Sequence, residues 1–568
     1  MPPRRGAVVA PSLAAGICLA LSLPPWGWWP LAYLGSAVLY WRLGGLGLRA
    51  RLLAGWVAGL GLFGLGLFWI ESFNWYGAVV LVLAEALTMA LAAALVPATR
   101  GRLPAFVGAF TLCEALRMVW PFGGLPVGGV FLGQADGPVL AVARLGGPLL
   151  MTAVVWLIGG AAAQLVAAAV SRWRRRGEVA AGPSVAGVVV AAVVGLVLGA
   201  LLVGAGALAP DGGSPVGHVR VAAVQGGGRR GVSKAEVPTA DVFAAQVAAT
   251  GLLGPRWTAG PLHPLRQLVV WPEDVISLDQ SLAGSPQARA MSRLAVSLHS
   301  TVVAGVTVTV STTAFRNEVV AWGPDGRIVA VFEKTHRVPF GEYVPYRGFF
   351  AHFASLSAVP LDAIPGHGTG LMVTPAGPLG VLVSYDVFYP GLGRTAVAAG
   401  ARLLVVPTNT SSYAASNLPT QEVAAARVQA VANGRDLVQA APTGYSTVVD
   451  NRGHVGLRTH LGARQVLVTA VSLRTGSTPY LVAGDLPVLL AAGLALAAGW
   501  VAEARGRRRD GRRAASTSLD FTPAAATGRW QPAPERPADH PRPVSGPRVV
   551  VPVPSAAGTD APDEPADP

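Results

Sequence analysis

"LGVLVSYDVFYP", residues 379–390, opens with an uninterrupted apolar run and then breaks into a hydroxyl, an acid and aromatic side chains. A strand with one face in water alternates apolar and polar residues. An unbroken apolar run bounded by a turn is instead a strand covered on both faces. The break puts a small reactive residue, Ser384, at the end of that strand, followed by Tyr385 and Asp386. In open α/β sheets, sites form where strands end.

The same pattern repeats on both sides of this stretch. "VRVAAVQ" (219–225), "QLVVWPE" (267–273), "STVVAGVTVTV" (300–310), "RLLVVPTN" (402–409) and "DLVQAAPTG" (436–444) read as strands. "EVVAWGPDGRIVAVFEK" (318–334) reads as a hairpin turned by Pro324, Asp325 and Gly326. Residues 238–253, 285–299 and 418–433 read as helices. Apolar strands interleaved with helices predict an α/β sandwich over 208–479.

The flanks are of another kind. The 568-residue chain is 52% hydrophobic and 13% charged, too apolar for ordinary soluble domains. Eight stretches of membrane length are expected: 6–24, 27–43, 52–72, 77–97, 104–120, 147–171, 184–207 and 480–502. Arginines at 4–5, 42–51, 100–102, 172–176 and 505–509 fall on one side if the spans alternate, and the positive-inside rule makes that side cytoplasmic. The expected organisation is a seven-span membrane domain (1–207), an extracytoplasmic domain (208–479), an eighth span (480–503) and a disordered cytoplasmic tail (504–568). Both termini are then cytoplasmic. Trp26, Trp28, Trp29 and Tyr33 suit an interfacial aromatic belt. The first span has a basic start like a signal peptide, but removing it would break the arginine alternation.

The +14 charge follows the span ends and forms no patch on a folded module, so no nucleic-acid partner is expected. The two cysteines, Cys18 and Cys113, lie within apolar runs, which leaves 208–479 without a thiol nucleophile or disulfide. No metal-ligand spacing is recognisable. "GGGRRG" (226–231) lacks the Lys-Ser/Thr of a phosphate loop. His336 and His367 read as loop and turn residues.

Three strand ends carry chemistry. "VVWPED" ends on Glu273, "VFEKTHRVPFGEYVP" (331–345) holds Lys334 and Glu342, and the opening stretch presents Ser384. A carboxylate to take a proton, an ammonium to meet an oxyanion and a hydroxyl to attack are the parts for acyl transfer. Of the Lys and Arg residues only Lys234 and Lys334 are lysines, so the one in this string invites a specific role.

These strings, in this order after several spans, resemble the nitrilase superfamily, and more closely the membrane-bound apolipoprotein N-acyltransferases. The resemblance extends to "GLGLFGLGLFWIESF" (59–73), "CEALRMVW" (113–120), "PTNTSSY" (407–413), "NGRDLVQAAPTGYSTVVDNRG" (433–453) and "TPYLVAGD" (478–485). It implies an α-β-β-α sandwich joined to a helical multi-pass membrane domain in a bacterial plasma membrane, with no cofactor. Glu273 is then the base, Lys334 the oxyanion stabiliser, Glu342 a supporting acid, and Ser384 stands at the nucleophile position, where the family carries cysteine. Tyr385 and Asp386 flank it where the family has Tyr-Glu. The implied partners are a phospholipid acyl donor and diacylglyceryl apolipoproteins. A hydroxyl needs a better-placed base than a thiol does; the alternatives for an attacking hydroxyl are Ser411, Ser412 and Ser446. A second reading is a catalytically silent homologue that binds lipoprotein or phospholipid and assists an active paralogue. A third is an amidase or hydrolase, which membrane tethering disfavours. Glu114 and Arg117, one helical turn apart, read equally as an intramembrane ion pair or as surroundings of the site.

Overall fold

The computed structural model describes residues 5–72, 75–174, 183–228, 237–258, 266–352, 355–357, 359–411 and 416–519. Lys234, Ser412 and part of 226–231 lie outside the described residues, as does the expected tail beyond 519.

Each of the eight apolar stretches forms a helix: Arg5–Ser22, Pro30–Leu43, Leu48–Gly66, Trp75–Leu95, Arg102–Arg117, Ala143–Arg174, Pro183–Leu208 and Leu486–Leu519. Five helical segments are long and apolar enough to cross a membrane: Leu48–Gly66, Trp75–Leu95, Pro138–Arg174, Ala186–Leu208 and Leu486–Arg512. The other three, at 18, 14 and 16 residues, are shorter than the roughly 20 that a bilayer core asks of an untilted helix. The last apolar stretch is broken at Gly484, whose φ of +65° ends a short helix at Pro479–Ala483 before the long one begins. The long helix then continues to Leu519, past the point where the tail was expected to start. Glycine sets the helix spacing. A Cβ at Gly16 would lie 2.0 Å from the Ala58 carbonyl oxygen, and one at Gly55 would lie 2.4 Å from that of Met89. Close backbone approach of this kind is how helices pack where both core and surroundings are apolar.

Fourteen strands are found among the described residues. In chain order they are β1 (Pro215–Gln225), β2 (Arg266–Val270), β3 (Ile276–Leu278), β4 (Thr301–Thr309), β5 (Ala314–Trp322), β6 (Ile328–Glu333), β7 (Asp362–Ala363), β8 (Leu371–Thr374), β9 (Gly377–Val381), β10 (Leu403–Pro407), β11 (Leu437–Ala440), β12 (Thr447–Val449), β13 (Val455–Arg458) and β14 (Gln465–Arg474). One sheet has the order β14-β1-β2-β4-β5-β6, with β3 beside β4 and β7 beside β5; the other runs β13-β12-β11-β10-β9-β8. The central strands β1-β2-β4 and β9-β10-β11 are parallel, whereas β5 and β6 pair antiparallel to their neighbours.

The unbroken apolar runs now have their explanation. Along β1, β2, β4 and β5 alternate side chains enter two different cores. Val221, Leu268, Val303 and Val319 join the core shared with the second sheet. Ala222, Val269, Val302 and Val320 face a second core with Met291 and Ala295 of the helix Pro286–Leu298. The core shared by the sheets continues through the helix Leu418–Asn433 into the membrane helices. That helix is buried nearly all round, as a helix without a solvent-facing stripe must be.

Candidate active site

Trp271, Pro272 and Glu273 follow β2. The chain is held there by the Glu273 N–H donating to the Thr408 carbonyl (3.3 Å) and the Gly305 N–H donating to that of Pro272 (2.9 Å). A Cβ at Gly305 would stand 2.4 Å from Glu273 Cα, so β4 needs glycine opposite the acid. Lys334 follows β6, its N–H bonded to the Asn317 carbonyl at 2.8 Å. These two strand ends bring Lys334 Nζ within 2.9 Å of Glu273 Oε1, and Glu342 Oε1 also lies 2.9 Å from the ammonium. Asn317 Nδ2 donates to the same two oxygens, at 2.8 and 3.0 Å. The Val338 N–H donates to the other Glu342 oxygen at 2.8 Å.

Lys334 is 3% exposed and Glu273 4%. Burial alone would lower the Lys334 pKa, but Glu273 and Glu342, with Asp386 beyond them, outweigh it and hold the ammonium above its ordinary value. Burial also pushes the Glu273 carboxyl up, and the charge of Glu342 adds to this against the pull of Lys334. The arrangement is therefore a fixed cation between two carboxylates, one of them a stronger base than a surface glutamate.

Ser384 begins a tight turn, Ser384–Phe388, two residues after β9. Its φ is +49°, a left-handed conformation that costs a non-glycine residue about 1–2 kcal/mol. It is half-buried, whereas the four residues after it in the turn are buried. Asp386 holds the turn in shape: its carboxylate accepts from the Val383 N–H at 3.1 Å and from the His336 N–H at 2.9 Å. The His336 ring also lies 2.8 Å from Asp386 and stacks on Tyr389, with ring centroids 3.9 Å apart. Asp386 thus ties the Ser384 turn to the loop that follows Lys334. His336 is spent on that tie, as a loop residue was expected to be. Ser446 is spent likewise, on Gln225 and the Ala441 carbonyl.

A third wall comes from the chain after Arg102–Arg117. The hydroxyls of Tyr343, Tyr385 and Tyr389 donate to the carbonyls of Phe122 and Gly124 at 2.9 Å, and Tyr389 reaches that of Gly123 at 3.1 Å. Arg117, 1% exposed, holds the next carbonyls, Leu125, Pro126 (3.3 Å) and Val127 (3.0 Å). Its guanidinium is neutralised by Glu85 and Glu114, each at 3.2 Å. The ion pair and the site surroundings considered for Glu114 and Arg117 are therefore one structure, with Glu85 as an added member.

Several of these residues escaped sequence reasoning: Asn317, Glu85, the tyrosine-bound loop, and a further buried acid, Glu422, bonded to Thr408. Only Asn317 left a signal, as an amide in the middle of a strand. A separate cavity of about 580 Å³ is lined by Trp26, Asp136, Arg427 and Arg458 among others, and by none of the expected site residues.

Two family models match the chain. The apolipoprotein N-acyltransferase N-terminal domain matches residues 15–161, and carbon-nitrogen hydrolase matches residues 264–480. The apolipoprotein N-acyltransferase of Mycolicibacterium smegmatis is 31% identical over 514 residues, covering 87% of this chain and 85% of that one. Those of Azotobacter vinelandii and Pseudomonas putida are each 30% identical, covering 83% and 86% of this chain and 90% and 95% of theirs. With both halves matched, and relatives aligned nearly end to end, the chain belongs to the apolipoprotein N-acyltransferase family and is an N-acyltransferase of the carbon–nitrogen hydrolase superfamily.

Proposed function

We propose that the chain moves an acyl group from a phospholipid to the α-amine of an N-terminal diacylglyceryl-cysteine, through an ester on Ser384. Glu273 takes the Ser384 proton as the hydroxyl oxygen attacks the phospholipid ester carbonyl. The electron pair of that C=O moves onto oxygen, where Lys334 meets the developing charge. Collapse breaks the bond to the lysophospholipid oxygen, which leaves with the proton held by Glu273. In the second half the neutral α-amine attacks the serine ester, Glu273 takes its proton, and Ser384 Oγ leaves and recovers it. Glu342 shares Lys334 and fixes it against Asn317; Tyr385 and Asp386 hold the turn.

The observation that carries this reading is the convergence of Glu273 and Glu342 on Lys334 Nζ at 2.9 Å each. Serine occupies the position where the family resemblance expects cysteine, and the raised proton affinity of buried Glu273 favours serine's use as a nucleophile. We further propose that all eight helical stretches enter the membrane and that 208–479 lies outside the cytoplasm, with both termini inside and 504–568 as a cytoplasmic tail. The arginine alternation supports that orientation. The domain limits follow: 1–207, 208–479 and 480–503.

The test uses the full chain in phospholipid vesicles with a synthetic diacylglyceryl lipopeptide, read by product mass. Transfer by the wild type, none by Ser384→Ala and faster transfer by Ser384→Cys support the proposal. No transfer by any of the three would leave a lipid- or lipoprotein-binding homologue that assists an active paralogue, and equal transfer by all three would overturn Ser384 as the nucleophile.

A further inference from the structure

Glu422 projects from the buried helix Leu418–Asn433 and is 1% exposed. The Thr408 hydroxyl bonds its Oε1, and Gln439 Nε2 lies 3.4 Å from its Oε2. The carbonyl of the same Thr408 accepts the Glu273 N–H, so one residue bridges the two acids. Among the described residues no Lys, Arg or His contacts the Glu422 carboxyl. The charged groups that face it are Glu273, after β2, and Lys334, after β6. On the adjoining turn Asp386 is engaged with His336, and on its own helix Arg427 is paired with Asp136. Among the described residues its hydrogen-bond partners are Thr408, directly after β10, and Gln439 of β11, which do not titrate.

Lys334 already serves two carboxylates, Glu273 and Glu342. A third carboxylate in the same interior, with no cation of its own, carries a desolvation penalty, and a proton removes that penalty. We propose that Glu422 is a positioning residue that rests as a neutral acid and, on losing its proton, makes Glu273 a stronger base. Burial pushes the Glu422 carboxyl up to about 8; the Thr408 bond opposes the shift, and the Glu273 charge reinforces it over the pull of Lys334. The gain matters most for a hydroxyl nucleophile, whose proton is hard to remove. The inference rests on Glu273 acting as the base.

The test follows acyl-enzyme formation by the full chain in phosphatidylglycerol vesicles without lipopeptide acceptor, so that neither a lipid headgroup amine nor an acceptor amine titrates, from about pH 6 to about pH 10. Wild-type rates should climb through pH 8 by about threefold more than those of Glu422→Gln, the value for one pKa unit in the base at a Brønsted slope near one half. Infrared difference spectra of the wild type should show a protonated-carboxyl band that fades through pH 8 and is missing in Glu422→Gln. The band can be read in the wild type alone if the variant folds poorly. Superimposable pH profiles, or no such band near pH 7, would overturn the proposal. A Glu273→Gln variant that still forms acyl-enzyme would instead overturn the assignment of the base, whatever the Glu422 band shows.

Discussion

Replacing Arg117 with methionine removes the cation between Glu85 and Glu114 and frees the carbonyls of Leu125, Pro126 and Val127. Taking one partner from a buried charge pair costs about 3–5 kcal/mol, because the other charge is left without compensation. The helices that carry the acids are locked by glycine contacts, Gly55 against Met89 and Gly59 against Ala86 among them, so the loop after Met118 yields first. Gly124 makes that loop sensitive, since a Cβ there would stand 2.2 Å from the Met118 backbone and leaves no alternative seat. Movement of the carbonyls at 122–124 releases Tyr385, in the Ser384 turn, and Tyr389, which directly follows it. A misplacement of about 1 Å at a reacting group can cost on the order of a hundredfold in rate. Lipopeptide acylation in vesicles, with hydrogen exchange over 118–129, measures both effects. Arg117→Met should lose about a hundredfold in transfer and gain exchange in the loop. Adding Glu85→Gln and Glu114→Gln should recover stability but not rate, because the anchor of the loop stays absent. A folded Arg117→Met protein that keeps about a third or more of wild-type transfer would refute the coupling.

Other perturbations probe the remaining links. Lys334→Arg keeps the charge but presents a planar fork where two carboxylates converge on a single nitrogen, so acyl-enzyme formation, followed by mass, should fall by about a hundredfold. Asp386→Glu should overpack a fully buried position, costing about 1–3 kcal/mol in thermal unfolding, and slow both half-reactions. Glu422→Gln tests the same acid through stability. An acid whose folded pKa is raised, here from 4.5 to about 8, favours the folded state below its unfolded value and loses that advantage as pH rises to its folded value. The variant should therefore gain on the wild type between about pH 4.5 and pH 8, by on the order of a few kcal/mol, with no further gain above that.

The sequence carried the fold where the cause is local. The run 379–383 is apolar throughout because each of its positions, in β9 and the residue pair after it, is buried within the core shared by the two sheets. The hairpin turn at Gly326 was legible because its φ of +79° suits glycine. What stayed hidden depends on distant pairing. β12, β13 and β14 are short or solvent-edged and gain their identity from partners, β14 from β1 some 250 residues away. Asn317 becomes part of the site only when β5 sets it beside Glu273 and Glu342. Glu422 sits in a helix so evenly buried that no polar stripe marks its inner face. The three short apolar helices read as spans by composition, and their length is fixed only by capping and packing, as where Trp29 and Pro30 start the second one.

The central claim is that a serine carries the acyl group. Incubating the full chain with phospholipid vesicles in the absence of acceptor, then digesting it and weighing the peptide that contains Ser384, tests this directly. One acyl chain is expected on that peptide, lost on adding lipopeptide and never formed in Ser384→Ala. An acyl chain on a peptide bearing Ser411 or Ser446 instead, or none while transfer proceeds, would contradict it.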